Sequence, residues 1–428
     1  MDISPLKQVP LFGYPHVERL STGIHDPLMA SALWLDHDGV QLLMVALDLL
    51  CLDPPTSRTI RHRVSKALGI PEAAVFISCT HTHSGPVTIR LLGWTGEPPP
   101  DPAYLQQITD GVVRAAETAL ANVVPAELAW TVADATGVGG NRLKAGGITD
   151  PECGVLAIRH AETRKLMAVS LIYGMHPTVL HEDSTRVSSD FPYFTRLHVR
   201  ENCGQDVKIL YHTAPCGNQS PRHYVNGQTF SEAERLGRKL GGAIVRAIQD
   251  LPATDWCSTP TLAAALQAVT LPRRSMPSLP EAQAVLRDYQ RTYRDLKAAG
   301  APRPEIRTAE CAVFGAESSV ALAEAAAKGE IRKQLDAYEP IEIQALRVGE
   351  VVIVGLPGEC FTEYALAIKK QSAHRTLVVS LVNGELQGYI VTPEAATAGG
   401  YEATNAMFAP EAGAILVEKA VGLTGRLF

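Results

Sequence analysis

The sequence lacks the segments that target a protein to a membrane. Within its 428 residues no apolar run reaches the length needed to cross a bilayer. The first stretch, Met1–Tyr14, contains Pro5, Lys7 and Pro10 where a signal peptide would have its apolar core. We therefore predict a cytoplasmic protein that does not insert into membranes.

An excess of positive charge is also absent. The 39 lysines and arginines are outnumbered by 45 aspartates and glutamates, which gives a formal net charge of -6, and the two signs are interspersed along the chain. A protein that follows a phosphate backbone needs a basic patch or stripe. Nucleic acid is therefore not an expected partner.

Closely spaced cysteine pairs are missing as well. The eight cysteines are widely scattered, and none forms a Cys-x-x-Cys pair. In a chain of this size the pattern indicates buried free thiols. It argues against a disulfide framework and against a four-cysteine zinc site.

The composition that remains is that of a folded globular protein, with 46% hydrophobic and 20% charged residues. Strand-like and helix-like segments alternate, and several strands are joined by hairpin turns. This predicts an α/β fold of mixed β-sheets covered by helices. We predict one catalytic domain over residues 1–428 with a helical insertion at 254–338. The insertion is expected to pack on the core or at a subunit contact, which leaves a homo-oligomer open.

Two histidines follow a buried strand early in the chain. The apolar run 74–79 is followed by residues 80–86, which read Thr-His-Thr-His-Ser-Gly-Pro. In an extended backbone, His81 and His83 would lie on the same side and could converge on a metal ion. A strand end with two solvated histidines is the alternative, since His-x-His is a short motif with many false positives.

Other strand ends repeat this arrangement. The apolar run 166–173 leads to His176, and the predicted hairpin 341–356 leads to Glu359. Alone, each of these would be an ordinary strand-end residue. The Gly/Pro-rich stretch 91–102 predicts a rim loop over the site.

These motifs together resemble the neutral, non-lysosomal ceramidases, a family of zinc-dependent amide hydrolases. The heptad 80–86 is similar to the family's His-Thr-His-Ser-Gly-Pro signature. Further segments follow in the family's order: His-Pro-Thr at 176–178, Asn-Gln-Ser-Pro at 218–221, Pro-Gly-Glu at 357–359 and Tyr-Ile-Val-Thr at 389–392. Ser-Ser-Asp at 188–190 stands in the place of the family's Ser-Gly-Asp element, which makes Asp190 a candidate to orient a ligand histidine through its free ring nitrogen. The fold implied by this resemblance is the same α/β layering.

The resemblance also implies the site residues. One zinc would be bound by His81, His176, Glu359 and Tyr389. The assignment of Tyr389 as a ligand depends on the resemblance alone, because a phenol is a rare zinc ligand. The interval of twelve residues between Tyr389 and Tyr401 is the same as in the family. The implied catalytic residues are listed together: His83, Ser220, Tyr401 and Arg142.

The roles of these catalytic residues differ. His83 would act beside the metal, while Tyr401 and Arg142 would donate hydrogen bonds to developing negative charge. Ser220 would either attack or position the substrate. Asn218 stands where the family usually has an aspartate, so a negative charge beside that serine is missing here. Without the resemblance, Ser220 is typical of a turn before proline, and Arg142 is equally typical of a surface loop.

The function implied is zinc-dependent hydrolysis of a C–N amide bond. The ceramidases carry a signal and a β-sandwich domain that this sequence does not show, so we expect a small soluble N-acyl amide as the substrate. A zinc-dependent esterase or carbamate hydrolase is the nearest alternative. A metal-binding or ligand-binding scaffold without catalysis is the alternative from another class. The barrel amidohydrolases also have His-x-His at a strand end, but histidine and aspartate ligands follow it there.

Overall fold

The computed structural model describes residues 1–94 and 98–428. Part of the predicted rim loop, residues 95–97, lies outside the described residues. The strands are β1 Gly23–Ile24, β2 Ala30–His37, β3 Val40–Leu47, β4 Val75–Cys79, β5 Ala126–Asp134, β6 Gly140–Asn141, β7 Glu152–His160, β8 Leu166–Tyr173, β9 Arg186–Val187, β10 Lys208–Thr213, β11 Gln219–Ser220, β12 Leu262–Val269, β13 Ile341–Val348, β14 Val351–Gly355, β15 Glu359–Cys360, β16 Arg375–Val379 and β17 Tyr389–Ile390. The helices are α1 Pro54–Leu68, α2 Pro102–Ala121, α3 Phe191–Cys203, α4 Phe230–Gln249, α5 Leu279–Ala298, α6 Arg303–Ala327, α7 Glu330–Tyr338, α8 Thr362–Gln371, α9 Pro393–Ala398, α10 Tyr401–Thr404 and α11 Glu411–Thr424.

Three mixed sheets form the centre of the molecule. Their strand orders are β2-β3-β4, β10-β8-β7-β5 and β12-β13-β14-β16. Each combines antiparallel hairpin pairs with a parallel pair: β3 with β4, β8 with β10, and β14 with β16. The predicted α/β class of mixed sheets and helices is confirmed.

The three sheets share one hydrophobic core. Leu43 on β3, Leu156 on β7 and Ile353 on β14 belong to the same cluster of buried side chains, and each is 0% exposed. The central strands read as continuous apolar runs because both of their faces are covered. The largest single loss of stability is therefore expected from cavities in this shared core.

Hydrogen bonds join the carboxyl ends of strands from different sheets. The Thr213 hydroxyl, at the end of β10, donates to the Thr80 carbonyl just after β4. The Ser380 amide, just after β16, donates to the Thr213 carbonyl. This junction brings the segments after β4 and β10 side by side, and both segments carry candidate site residues.

The range 254–338 begins with a strand and continues with helices. Strand β12 pairs with β13 along its whole length, so it is part of a central sheet. Helices α5, α6 and α7 follow. On α6, Gly315 packs so closely against α10 that a Cβ atom there would lie 2.4 Å from Thr404 Oγ1. The helical segment is thereby fixed to the part of the chain that begins with Tyr401.

Two further observations concern predictions from composition. The eight cysteines are all free, and five are buried, which agrees with the prediction of free thiols. None of the described helices is long and apolar enough to cross a membrane.

Candidate active site

His81 lies just beyond the end of β4 in a left-handed backbone conformation. Its φ is +69°, so the chain turns there, and the expectation that His81 and His83 lie on one side of an extended strand is wrong in its geometry. A non-glycine residue pays a conformational cost in this region. The turn is held by the His81 amide, which donates to the Leu49 carbonyl, and by His81 Nδ1, which donates to the Leu50 carbonyl at 2.9 Å.

His176 follows β8 and is oriented by the loop after β10. Its Nδ1 lies 2.7 Å from the Cys216 carbonyl oxygen and 3.0 Å from that of Gln219. The side chain is 0% exposed. Burial, reinforced by the positive charge of Arg142, lowers the pKa of His176 to about 3. The imidazole is therefore neutral near pH 7.

His83 is oriented by the N-terminal segment. Its Nδ1 donates to the Gly13 carbonyl at 2.8 Å. Gly13 has a φ of +100°, and a Cβ atom there would lie 2.5 Å from this same nitrogen. Burial, together with His81 and His176, lowers the pKa of His83 well below its ordinary value. Sequence reasoning missed Gly13, because nothing local to it points to a histidine seventy residues away.

The three imidazoles together form a group that can hold a metal ion. One nitrogen from each of His81, His83 and His176 lies within 4.8 Å of the others. Since each Nδ1 donates to a carbonyl, each Nε2 keeps its lone pair for a ligand. The Nε2 atoms of His81 and His83 are buried and have no hydrogen-bond partner among the described residues. Buried polar atoms without partners are costly, which fits a site built for a cation.

Glu359 completes this group from the opposite side. Its Oε2 lies 3.2 Å from His81 Nε2 and 3.0 Å from His176 Nε2. Burial by itself would raise the pKa of Glu359, but the adjacent imidazoles of His81 and His176 outweigh it and hold this pKa well below its ordinary value. A carboxylate and imidazole nitrogens at one point are a donor set that suits zinc.

Tyr389 is placed beside Glu359 by strand pairing. In the parallel pair of β15 and β17, Glu359 and Tyr389 are direct partners in register. The tyrosine is buried, and burial, with the charge of Glu359, raises the pKa of its phenol well above its ordinary value. Its ring lies 5.7 Å, centroid to centroid, from that of Tyr401.

Arg142 lies over both tyrosines. Its guanidinium carbon is 5.4 Å from the Tyr389 ring centroid and 6.0 Å from that of Tyr401. Its Nε donates to Glu402 Oε1 at 2.7 Å, whereas its Nη2 is buried without a hydrogen-bond partner among the described residues. Burial opposes the charge of Arg142, but the surrounding tyrosine and glutamates raise its pKa well above its ordinary value. It is therefore a fixed cation with an unpartnered terminal nitrogen.

Ser220 reaches the same place through the short pair of β6 and β11. It pairs with Gly140, while Gln219 pairs with Asn141, the neighbour of Arg142. The side chain is 4% exposed, and its Oγ accepts a hydrogen bond from the Arg222 amide at 3.3 Å. No described base contacts this hydroxyl, so the structure leaves attack and positioning equally open.

A pocket of about 280 Å³ leads to this group. Five of the predicted site residues line it: His83, Arg142, Ser220, Tyr389 and Tyr401. The other three, His81, His176 and Glu359, are not part of its lining. The outer wall is formed by Tyr14 and His16 from the N-terminal segment and by helix α6. The His16 ring stacks on Phe314 of α6 at a centroid distance of 3.9 Å. Sequence reasoning did not connect α6 with the site.

Asp190 has a different role from the one expected. Both ring nitrogens of His176 have other partners, and His81 Nδ1 is bound to a carbonyl group. Asp190 instead accepts a hydrogen bond from the Leu180 amide at 2.8 Å and caps the N-terminus of α3. The expectation that Asp190 orients a ligand histidine is wrong, because backbone carbonyls supply that hydrogen bond.

The sequence of residues 2–208 matches the family model described as neutral/alkaline non-lysosomal ceramidase, N-terminal. Residues 2–208 are therefore similar to the N-terminal part of that family. This segment contains His81, His83, Arg142 and His176. A comparison with curated proteins finds no significant match.

The fold extends the relation to ceramidases over the rest of the chain. The crystal structure of neutral ceramidase from Pseudomonas aeruginosa aligns with 99% of this chain and 73% of its own, with a TM-score of 0.75 and 19% sequence identity. A ceramidase complexed with C2 aligns with 99% of this chain and 74% of its own, with a TM-score of 0.72 and 18% identity. At these identities the likeness shows the fold alone. The predicted resemblance to neutral ceramidases is confirmed.

Proposed function

We propose that this protein is a zinc-dependent hydrolase that cleaves the C–N bond of an amide. The ceramidase family match supports a hydrolase acting on amide bonds. The observation that carries the metal is the group of three imidazoles whose Nδ1 atoms donate to carbonyls, with Glu359 Oε2 3.2 Å from His81 Nε2 and 3.0 Å from His176 Nε2. Following the family pattern, we assign His81, His176, Glu359 and Tyr389 to the zinc.

When bound, zinc would lower the pKa of a water molecule to about 7 and would polarise the substrate carbonyl. His83 is the group that moves a proton. Its Nε2 is unprotonated and unpartnered, so it can accept a proton from the attacking water and return it to the leaving nitrogen. Hydrolysis of the amide consumes one water molecule and gives a carboxylic acid and an amine.

Two donors would stabilise the negative charge that develops on the carbonyl oxygen. The Arg142 Nη2 is buried and unpartnered, and Tyr401 lies under the same guanidinium. The raised pKa of Tyr401, due mainly to burial, keeps its phenol protonated and able to donate. Ser220 would position the amide at the mouth of this group or attack it.

The pocket size supports a small substrate. A volume of about 280 Å³ lies at the small end of ligand sites. We therefore propose a small N-acyl amide. A cytoplasmic location, a single domain with an insertion at 254–338 and a homo-oligomer stay predictions.

The test is metal analysis joined to an activity panel. We expect about one zinc per chain in the wild type, loss of most of it in Glu359→Ala and His176→Ala, and full retention in His62→Ala, a control at an exposed histidine. Circular dichroism of each variant shows that it is folded. Zinc-dependent turnover of N-acyl amides would support the proposal.

The same panel separates the alternatives. Turnover of esters or carbamates without amides would assign the protein to those hydrolases. One bound zinc without turnover of any carbonyl substrate would favour a non-catalytic scaffold. Absence of metal from the wild type, with no activity on added zinc, would reject the proposal.

A further inference from the structure

The pocket in front of the candidate metal site is rich in arginine. Among the described residues that line it are four arginines and three histidines, and neither aspartate nor glutamate. Arg142 and Arg307 have carboxylate partners outside the lining: Glu402 for the first, and Glu182 and Glu310 for the second. Their charges are therefore largely balanced.

Arg222 and Arg303 are different. Within the described part of the chain, neither has a carboxylate oxygen within 4 Å of its guanidinium. Arg222 is half-buried, and its two terminal nitrogens contact only neutral acceptors: the Arg142 carbonyl at 3.2 Å, Thr308 Oγ1 at 3.0 Å and Cys311 Sγ at 3.5 Å. A guanidinium removed from water and left without an anion is costly.

The surroundings of Arg222 increase this cost. Burial, with the positive charges of Arg142 and Arg307, lowers the pKa of Arg222 below its ordinary value. An arginine in such a place is stabilised by an anion that arrives from the pocket, and its planar donors match a carboxylate or a phosphate. Arg303, exposed at the N-terminus of α6, adds a second positive charge on the same wall.

The position of Arg222 relates this charge to the reacting bond. Its own amide donates to Ser220 Oγ, and both residues line the same small pocket. Its Nη1 also donates to the Arg142 carbonyl, so an anion bound by Arg222 would lie beside candidate site residues. Apolar contacts for the rest of the ligand are available from Phe314 and Val225, which line the pocket too.

We infer that the substrate is an amide bearing a carboxylate or phosphate close to the scissile bond, received by Arg222 with support from Arg303. An N-acyl amino acid is the simplest member of this class. Its hydrolysis would consume one water and release a carboxylic acid and an amino acid. The inference rests on the proposed function for the reaction, but the anion site itself can be tested without turnover.

The test uses inert ketones, in which a methylene replaces the amide nitrogen. The probes are β-benzoylpropionate, the matching phosphonate, and the uncharged γ-hydroxybutyrophenone, with binding measured by calorimetry in a buffer free of phosphate. We expect one of the anions to bind the wild type at least about tenfold more tightly than the alcohol, as a charged hydrogen bond implies. The better anion identifies carboxylate or phosphate as the group.

Variants then locate the charge. In Arg222→Gln the preference for the anion should fall to near unity, and Arg222→Lys should restore part of it. The matched control is Arg186→Gln, an exposed arginine remote from the pocket that donates to the Ile24 carbonyl, and it should keep the full preference. Equal binding of anion and alcohol to the wild type, no binding of either, or an unchanged preference in Arg222→Gln would overturn the inference.

The outcomes are separable from those for the proposed function. Charge-dependent binding without turnover of any amide would leave the anion site standing and reject the hydrolase. Hydrolysis of neutral amides, with no preference for the charged probes, would support the hydrolase and reject the anion site.

Discussion

Each histidine of the candidate metal site is oriented by a backbone carbonyl group. The acceptors are those of Leu50, Gly13 and, for His176, Cys216 and Gln219. A carbonyl can only accept, so it fixes the proton on Nδ1 and turns Nε2 toward the metal position, a role that carboxylates often fill elsewhere. Because the acceptors are neutral, no extra negative charge is added to the site.

Gly13 offers a test of how His83 acts. In Gly13→Ala the new Cβ would meet His83 Nδ1 at 2.5 Å, and an alanine is strained at a φ of +100°. The imidazole must shift, and we expect amide turnover to fall by about a hundredfold, as small misplacements of catalytic groups do.

Zinc content decides what that loss means. If His83 moves protons without binding the metal, Gly13→Ala should retain about one zinc per chain. Loss of zinc from this variant would instead make His83 a ligand. Undiminished turnover would contradict any role for His83 in the reaction.

Among the secondary-structure elements, the shortest strands do most to arrange the site. The two-residue pairs β6 with β11 and β15 with β17 set Arg142 beside Ser220 and Glu359 beside Tyr389. Such short pairs have little stability of their own. They are held by the sheets that precede them and by α6, which packs on α10.

Gly315 on α6 tests this contact between helices. In Gly315→Ala the new Cβ would lie 2.4 Å from Thr404 Oγ1 and 3.0 Å from Tyr401 Cα, so α10 must move. We expect turnover to fall by roughly tenfold through displacement of Tyr401, and stability to fall by about 1–3 kcal/mol through overpacking.

The control for this substitution is Gly422→Ala on α11. Gly422 is in a helix, and a Cβ there would meet nothing within 4 Å. Alanine should leave turnover unchanged and stabilise the helix by about 0.5–1 kcal/mol. Equal effects on turnover from the two substitutions, measured alongside urea unfolding, would contradict a specific role for the contact of α6 with α10.

Sequence patterns predicted the bounds of the strands best where the apolar run was long. The strand 166–173 has the predicted bounds, and the predicted hairpins become β2 with β3 and β13 with β14. Within the predicted helical insertion 254–338, α6 and α7 are separate helices. Gly329, in a left-handed conformation, ends one helix and caps the next. Local pattern did not show this because the break depends on one residue's backbone angles.

At the scale of the whole molecule, buried polar groups join the sheets. His212 on β10 is 0% exposed, and its Nδ1 lies 2.7 Å from Ser78 Oγ on β4. Burial lowers the pKa of His212 from 6.5 to about 3. The folded protein therefore keeps this histidine neutral at pH values where the unfolded chain binds a proton.

This difference predicts a loss of stability in acid. The contribution of neutral His212 to the free energy of unfolding is fully present above pH 6.5 and is lost as the pH falls toward 3. The free energy of unfolding then falls by up to about 1.4 kcal/mol per pH unit, which corresponds to the uptake of about one proton on unfolding. Other groups add to the total, so the comparison is with His212→Asn. Urea unfolding between pH 7 and 4 should show a slope smaller by about one proton in the variant, and identical slopes would contradict the prediction.

The sequence by itself determined the fold class and the family resemblance, because both are written in local patterns. Continuous apolar runs identify the strands, and the segments after them point to His81, His83 and His176 as candidates. No pattern of this kind could have proposed Tyr389, which depended on the resemblance alone.

Only the tertiary structure decided how these residues face one another. The left-handed turn at His81, the carbonyl of Gly13 under His83, and the cation-rich wall that includes Arg222 all arise from contacts between residues far apart in sequence. Such contacts are fixed by packing of the shared core and by satisfaction of buried polar groups. These are properties of the assembled chain, and no local segment contains them.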